Sequence, residues 1–517
     1  MVGAIPRVSA ARHPDAVALI FGERRLTYRE LSRRALQAAN GLLALGLNKG
    51  ERVAVLLENG PEFVELFFAA ATAGAILVPV NFRLAAPEVE YVLRDSGASV
   101  LVVGARFLTP LAPLLGKVES LRHVVRVGDS SSATDVLLEY ETWLRSQAVE
   151  DPGLAVSSVD DQLIVYTSGT TGRPKGALWA HSNTLLSAAA KTIDFDLRPT
   201  DITAVFGPLF HVGPLMDFTV PLLQRGGRVV IGRSGGFDPH EVLRVFAEER
   251  ITVVGMVPSM WKRVLAITDG HDLSSLRLIV TGGEPIEPHT LDWLYRRFPQ
   301  ADIVNQYGST EGGPISVLMP RGRRRDKHGS VGLPAFNVEV KIAGDDGREK
   351  ASGEVGELLI RSPVVCKGYW NRPRETAESL RGDWWRSGDL AWRDADGFIW
   401  IAGRRLDIII SGGENIYPAE VEQVIAGLAG VTEVAVAGVP DATWGEAAVA
   451  WIVRAPGATV TEKDVLEHCR ERLAGFKKPR QVFFIDSLPR TTVGKVSRTL
   501  LKRDFGHEPR TGAEGTP

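Results

Sequence analysis

The sequence predicts an α/β protein with a large N-terminal body, a β-rich subdomain after it and a small α+β unit at the C-terminal end. Three observations carry this. Short runs of Val, Ile and Leu alternate with helical patterns from Arg52 to Tyr307, the texture changes at Gly329 to brief strands punctuated by glycine, and a compact strand-and-helix series follows GRRLD at 403–407. Alternation of the first kind is the pattern of parallel strands joined by crossover helices.

Taken in order, strands are expected at Arg52–Leu57, Ile76–Val80 and Ser99–Val103, with helices at Glu62–Ala73 and Pro87–Ser96 between them. The same grammar returns with strands at Ile202–Val205, Arg228–Ile231, Val253–Val257, Leu276–Thr281 and Ile303–Tyr307, and a helix at His240–Glu249. The longest uncharged run, Leu66 to Phe82, carries Thr72, Gly74, Pro79 and Asn81. It is too short and too interrupted to span a bilayer and reads as a buried helix followed by a strand, Ala75–Val80. The opening MVGAIPRVSAARHPDAV has no continuous apolar stretch, so no export signal is expected.

After Gly329 the segments VEVKIAG, VGELLIR and GFIWIAG read as alternating strands. The terminal unit has a helix at Pro418–Ala426, strands at Val431–Val439 and Ala447–Val453, a helix at Glu462–Leu473 and a strand at Gln481–Ile485. The tail GHEPRTGAEGTP is polar, rich in Gly and Pro, and expected to fray.

Across 517 residues, 60 Lys and Arg face 62 Asp and Glu, a formal charge of -2. That balance argues against nucleic-acid binding, which draws its affinity from neutralising phosphates. Two cysteines, Cys366 and Cys469, cannot build a disulfide framework, and no CxxC or HExxH spacing suggests zinc. A reducing, cytoplasmic setting is expected.

The chemistry concentrates in LIVYTSGTTGRPKG at 163–176, an apolar strand, a loop of hydroxyls and glycines, and a lysine. Glycines let backbone N–H groups approach oxyanions and the hydroxyls add short donors, so the loop reads as a phosphate grip. It is not a Walker A loop, because Lys175 is followed by Gly176. No two glycines are spaced i, i+2 anywhere, which excludes a GxGxxG dinucleotide fingerprint. Downstream stand QYGSTE at 306–311, RSGDL at 386–390, GRRLDIIISGGENIYPAEVE at 403–422 and PRTTVGKVSR at 489–498.

With these five segments in order, the sequence resembles the adenylate-forming acyl-CoA synthetase superfamily, whose members include acyl-CoA ligases, luciferases and peptide-synthetase adenylation domains. The resemblance runs from LTYRELSRRA near Leu26 to the segment at 489–498. It implies an AMP-binding domain at 1–402 made of two α/β subdomains and a β-barrel, a hinge at 403–407, a small mobile α+β domain at 408–506 and a tail at 507–517. It also implies a two-step reaction. A carboxylate attacks the α-phosphorus of ATP, pyrophosphate leaves, and a thiol then takes the acyl group from the acyl-adenylate.

Residue roles follow from the resemblance. Thr167, Ser168, Gly169, Thr170, Thr171, Gly172 and Lys175 would hold the phosphates, and Thr167 with Glu311 would hold Mg2+. Gly283, Gln306, Tyr307, Gly308 and Thr310 would surround the nucleotide, the adenine by backbone contacts and a ring face. Asp389 would accept from the ribose hydroxyls, with Arg404 at the same sugar or a phosphate. Lys495 would neutralise charge between carboxylate and α-phosphate as they react, and its place on the small domain implies two poses for the two half-reactions. Gly412 and Gly413 would line a tunnel for CoA. The hinge position, often Lys or Asp in the family, is Leu406 here, with Asp407 following.

His211 in PLFHVGPL matches a position beside the acyl pocket, to which Met216, Val257 and Gly308 also belong. Val212, Gly213, Pro258, Ser259 and Met260 continue that lining, with no Lys or Arg among them to meet a second carboxylate. A hydrophobic monocarboxylic acid is therefore expected, a medium or long fatty acid before an aromatic or cyclic one. The basic run RGRRRDK at 321–327 reads as a solvated loop, with weak contact to CoA phosphates or an anionic membrane surface as the other reading. The expected activity is an AMP-forming carboxylate–CoA ligase with ATP, Mg2+ and CoA, and a homodimer is among the assemblies open to it. The competing readings are a stand-alone enzyme that loads a carrier protein and a non-catalytic sensor, the latter opposed by Thr167, Glu311, Asp389, Arg404 and Lys495.

Overall fold

The computed structural model describes residues 1–128, 138–167, 174–267, 270–322, 325–411, 414–441, 444–473, 475–491 and 495–505. The chain forms two compact units, Met1–Val340 with Ile360–Ser387, and Lys341–Leu359 with Gly388–Pro517.

The first unit holds two sheets, counted among the described residues. One has eight strands in the order Gly368–Tyr369, Lys175–Ala180, Asp161–Thr167, Ile76–Pro79, Arg52–Leu56, Ala98–Gly104, His123–Val127 and Leu138–Glu139. It is parallel from Asp161–Thr167 onward and closes with antiparallel pairing at its first two strands. The other has nine strands, whose parallel centre runs through Asp302–Ser309, Leu278–Gly282, Val253–Met256, Ile202–Val205 and Arg228–Ile231 to Val17–Phe21.

Proline punctuates the helices as its missing N–H and fixed φ dictate, at the first turn where no intrahelical donor is needed. Pro61–Thr72, Pro239–Glu248, Pro258–Leu265 and Pro288–Arg297 all begin on one. Pro61–Thr72 is the buried helix expected from the long uncharged run, with Phe63, Phe67 and Phe68 at 0–1% exposure. It also buries Glu65, which accepts from Arg34 Nε at 2.6 Å and Tyr140 OH at 2.8 Å. The nine-stranded sheet packs Val254, Ile279 and Ile303 against Phe246, Trp261, Leu294 and Phe298 of its covering helices.

Some elements lie beyond those expected from the pattern. A hairpin, Val17–Phe21 with Arg24–Thr27, leads into the helix Tyr28–Ala44, where Thr27 Oγ1 accepts from Glu30 N and Glu30 accepts from Thr27 N. This reciprocal cap satisfies two of the orphan donors of the first turn. A π-helical turn, Gly213–Thr219, runs directly into the helix Val220–Arg225.

The second unit contains the strands Glu414–Ile416, Ile409–Ser411, Gly445–Arg454 and Val431–Asp441, antiparallel in that order, with Gln481–Phe484 parallel to Gly445–Arg454. The period of two divides the sheet cleanly. Val436, Ala448, Ala450 and Ile452 face Val421, Ile425, Val465 and Cys469, while Ala435, Val449 and Trp451 face Leu488 and Leu501. The helix expected to reach Leu473 ends at Arg470, where Arg472 N bonds back to the Cys469 carbonyl and closes a turn. The β-rich strands expected after Gly329 form at Glu339–Ala343, Gly356–Arg361 and Ile399–Arg404, with Trp384–Arg393 pairing the last. Among the described residues no helix is long and apolar enough to cross a membrane.

Candidate active site

The strand Asp161–Thr167 turns back into Lys175–Ala180, and the antiparallel register sets Thr167 opposite Lys175. The expected phosphate loop is thus a hairpin connection; Ser168, Gly169, Thr170, Thr171 and Gly172 lie outside the described residues. Both ends of the connection are fastened. Thr167 Oγ1 donates to Glu311 Oε1 at 3.0 Å across 144 residues of sequence, and Tyr91 OH donates to the Pro174 carbonyl at 3.0 Å. Tyr369 OH reaches the same Glu311 Oε1 at 3.2 Å, and Lys175 Nζ sits 5.2 Å from the centre of the Tyr369 ring.

Two hydroxyls converging on one oxygen hold the Glu311 carboxylate in a single orientation and leave Oε2 without a hydrogen bond among the described residues. The backbone around it is pinned by Trp179 Nε1 to the Thr310 carbonyl at 3.1 Å and by Cys366 N to the Glu311 carbonyl at 2.9 Å. Burial and the nearby Glu311 raise the Tyr369 phenol above its ordinary value, so it remains a donor. The sequence reading brings Thr167 and Glu311 together; Tyr369 it passes over, because a Gly-Tyr-Trp run after a strand looks the same as core aromatics.

Val257, Gly283 and Gln306–Gly308 lie at the carboxyl ends of three neighbouring parallel strands, where open α/β sheets hold their ligands. A Cβ on Gly283 would stand 3.8 Å from Val257 Cγ1, so the two are in contact range. Gly308 permits no side chain, since a Cβ there would meet the Pro314 carbonyl oxygen at 2.1 Å. His211 lies two residues before the π-helical turn. Its N–H donates to the Pro208 carbonyl at 3.0 Å, and its ring lies 4.4 Å from that of Phe210. Met216 in the turn is buried.

The same turn carries a charge that the sequence reading missed. Asp217, 4% exposed, accepts from Gln306 Nε2 at 3.2 Å, and burial raises its carboxyl to about 6 against the pull of the Lys191 ammonium. Lys191, at 1% exposure, makes a 3.4 Å bond to the Ile315 carbonyl, and burial lowers its pKa. Lys191 comes from the helix His181–Asp194. The available signal was a lone Asp in the apolar run GPLMDFTVPLL.

In the second unit, Asp389 and Arg404 are opposite one another in the pairing of Trp384–Arg393 with Ile399–Arg404, and Arg404 Nε meets Asp389 Oδ1 at 3.1 Å. The carboxylate is nearly buried and the guanidinium half exposed, 10% against 47%. Leu406 falls in a short 3-10 turn, Arg405–Asp407, flanked by Arg405 bonds to Glu357 and Asp345. Gly412 and Gly413 lie outside the described residues. Lys495 is exposed, with its carbonyl accepting from Thr491 N at 2.7 Å and Arg490 bridging Val496 beside it. The following Arg498 ties this loop to its surroundings through Glu422 at 2.6 Å and Asp407 at 3.2 Å. Of the basic run, Arg323 and Arg324 lie outside the described residues, and Arg321 faces Asp196 at 3.5 Å. Among the described residues no three His, Cys, Asp or Glu side chains gather as a metal site.

Comparison with known proteins bears directly on this arrangement. The sequence model of the AMP-binding enzyme family matches residues 7–370, and that of the AMP-binding enzyme C-terminal domain matches 420–495. A feruloyl-CoA synthase from Amycolatopsis sp is 41% identical over 98% of this chain and 99% of its own. The long-chain-fatty-acid–CoA ligase FadD13 of Mycobacterium tuberculosis is 37% identical over 97% of this chain and 96% of its own. The crystal structure of the anthranilate CoA ligase AuaEII in complex with anthranoyl-AMP superimposes with a TM-score of 0.90 at 30% identity, covering 97% and 96% of the two chains. A hairpin loop closed by Thr167 and Lys175, a carboxylate held beside it, and matches that run the length of both domains lead to one conclusion: the chain belongs to the AMP-binding enzyme family and is an acid–thiol ligase of the adenylate-forming acyl-CoA synthetase superfamily.

Proposed function

We propose that this enzyme is an ATP-dependent carboxylate–CoA ligase whose preferred acid is aromatic. The observation that carries the ATP half of the reading is the convergence of Thr167 and Tyr369 on Glu311 at the mouth of the hairpin loop. One carboxylate, one hydroxyl and substrate phosphates are the donor set that Mg2+ commonly takes, so Glu311 and Thr167 fit the ion. When bound there it would neutralise phosphate charge. The acid preference is supported by the aromatic substrate in the name of the relative at 41% identity. A fatty acid is the second reading, supported by FadD13 at 37%.

In the first step a carboxylate oxygen bonds to the α-phosphorus as the bond to pyrophosphate breaks, giving acyl-AMP. In the second the CoA thiol gives up its proton, its sulfur bonds to the acyl carbon, and AMP leaves. Lys175 and the loop 167–175 hold the phosphates, Asp389 and Arg404 the ribose, and Lys495 the developing charge at the α-phosphate. Residues 403–407 act as the hinge between domain 1–402 and domain 408–506, with Gly412 and Gly413 beside the CoA arm. Two buried, unpaired cysteines support a cytoplasmic setting. Pyrophosphate release and thioester formation, followed together with ATP, Mg2+ and a panel of aromatic and fatty acids with and without CoA, test the reading. Thioester from aromatic acids is the expected result; adenylate without thioester would indicate a carrier-protein acceptor, and no turnover on any acid would overturn it.

A further inference from the structure

Deep beside the expected acyl pocket, two buried acceptor atoms have no donor among the described residues. Asp217 Oδ2 takes the Gln306 amide, while Asp217 Oδ1 and Gln306 Oε1 are buried and have no hydrogen-bond partner among the described residues. The amide cannot be reversed to cure this, because turning it would set Gln306 Oε1 against the carboxylate oxygen. Each such buried acceptor carries the cost of hydration it has lost and not replaced. Two such acceptors on side chains bonded to one another call for an explanation, and a bound donor group supplies one.

Their position says which part of a ligand. Gln306 lies three residues back from Ser309, the end of its strand, and is therefore set deeper than Tyr307 and Gly308. Gly282 on the neighbouring strand clears the space that Gln306 occupies, since a Cβ there would stand 2.5 Å from Gln306 Cγ. Asp217 is six residues beyond His211 on the π-helical turn, under Gly213, whose Cβ would lie 3.6 Å from Asp217 Oδ2. A π-helical turn of this kind commonly marks a functional site. The Lys191 ammonium stands within electrostatic reach of Asp217, which favours a group whose oxygen tolerates partial negative charge.

We infer that Asp217 and Gln306 form a receptor for a hydroxyl group carried on the acyl chain or ring away from its carboxylate. The preferred substrate class is then a hydroxylated acid, and this rests on the carboxylate–CoA ligase reading above. The hydroxyl hydrogen is donated to Asp217 Oδ1, and the acid lacking it leaves that carboxylate oxygen unpaired, which is the arrangement that gives strong discrimination between otherwise identical substrates.

The test uses the full-length enzyme with ATP, Mg2+ and CoA, and acid pairs differing by one hydroxyl: 4-hydroxycinnamate with cinnamate, 4-hydroxybenzoate with benzoate, and ω-hydroxy with plain fatty acids. The expected result is a kcat/KM ratio of about tenfold or more in favour of the hydroxylated member of at least one pair. Asp217→Asn and Asp217→Leu should each bring that ratio towards one. Because both acids are measured on one preparation, the ratio is insensitive to the fraction of enzyme that folds. Turnover of both members of every pair at equal rates, or a ratio unmoved by either variant, overturns the receptor while leaving the ligase intact. Failure to form thioester or adenylate from any acid removes the ligase reading, and the receptor with it.

Discussion

Glu311→Gln deletes a charge and keeps a shape. The glutamine oxygen can still accept from Thr167 Oγ1 and Tyr369 OH, which lie 3.0 and 3.2 Å from Glu311 Oε1, while an NH2 replaces the unbonded Oε2. Two charge-assisted hydrogen bonds become neutral ones, a loss of about 1 kcal/mol each, and release from holding a carboxylate away from water offsets much of it. Stability should change by no more than about 1 kcal/mol, or roughly 1–2 °C in Tm for a unit of this size. Acyl-adenylate formation should fall by about 10²–10³, the effect of removing one preorganised group that stabilises charge at the reacting centre. Pyrophosphate exchange into ATP measures that step alone, and a Mg2+ titration should show a raised requirement for the ion. CoA transfer from supplied acyl-adenylate should be nearly untouched. An exchange rate within a few-fold of wild type, at unchanged Tm, would refute Glu311 as the metal-side carboxylate.

Other outcomes are equally specific. Lys495→Ala should abolish most adenylate formation yet permit thioester formation from supplied acyl-adenylate, and equal loss of both half-reactions would count against its role at the α-phosphate. Arg34→Met strands the fully buried Glu65 carboxylate, which keeps only its Tyr140 bond and the marginal 3.7 Å approach of Arg24, and should cost about 3–5 kcal/mol in urea unfolding; Arg34→Met with Glu65→Leu should recover most of it. His181 is buried with its pKa held down to about 4 by burial and by the positive chain terminus. Protonation therefore favours the unfolded chain, so its contribution is present above about pH 6.5 and lost as pH falls towards 4, up to about 3 kcal/mol. Urea midpoints from pH 7 to 4 should fall less steeply in His181→Gln than in wild type.

Much of this architecture was legible because it is local. Parallel strands buried on both faces read as unbroken Val, Ile and Leu runs, and Pro61 and Pro239 announce helix starts whatever surrounds them. Glu311 was legible for another reason: the motif order that carries it is written along the chain. The hairpin Val17–Phe21 with Arg24–Thr27 was missed because its turn residues, Gly22 and Glu23, give no strong signal beside a short strand. The π-helical turn at Gly213–Thr219 follows from packing between neighbouring elements, and an apolar stretch of that length has no period to betray it.

The chain's own residues determined the fold class, the superfamily and the reaction, since alternation, capping and motif order are properties of near neighbours. The tertiary structure alone decided that Tyr369 shares an oxygen with Thr167 on Glu311, and that Asp217 and Gln306 meet in the interior within the electrostatic influence of Lys191. These groups come from segments far apart in sequence, and their meeting depends on the order in which strands pair and on which face each side chain takes. A buried charge becomes intelligible only when the low-dielectric interior around it and its partners are known.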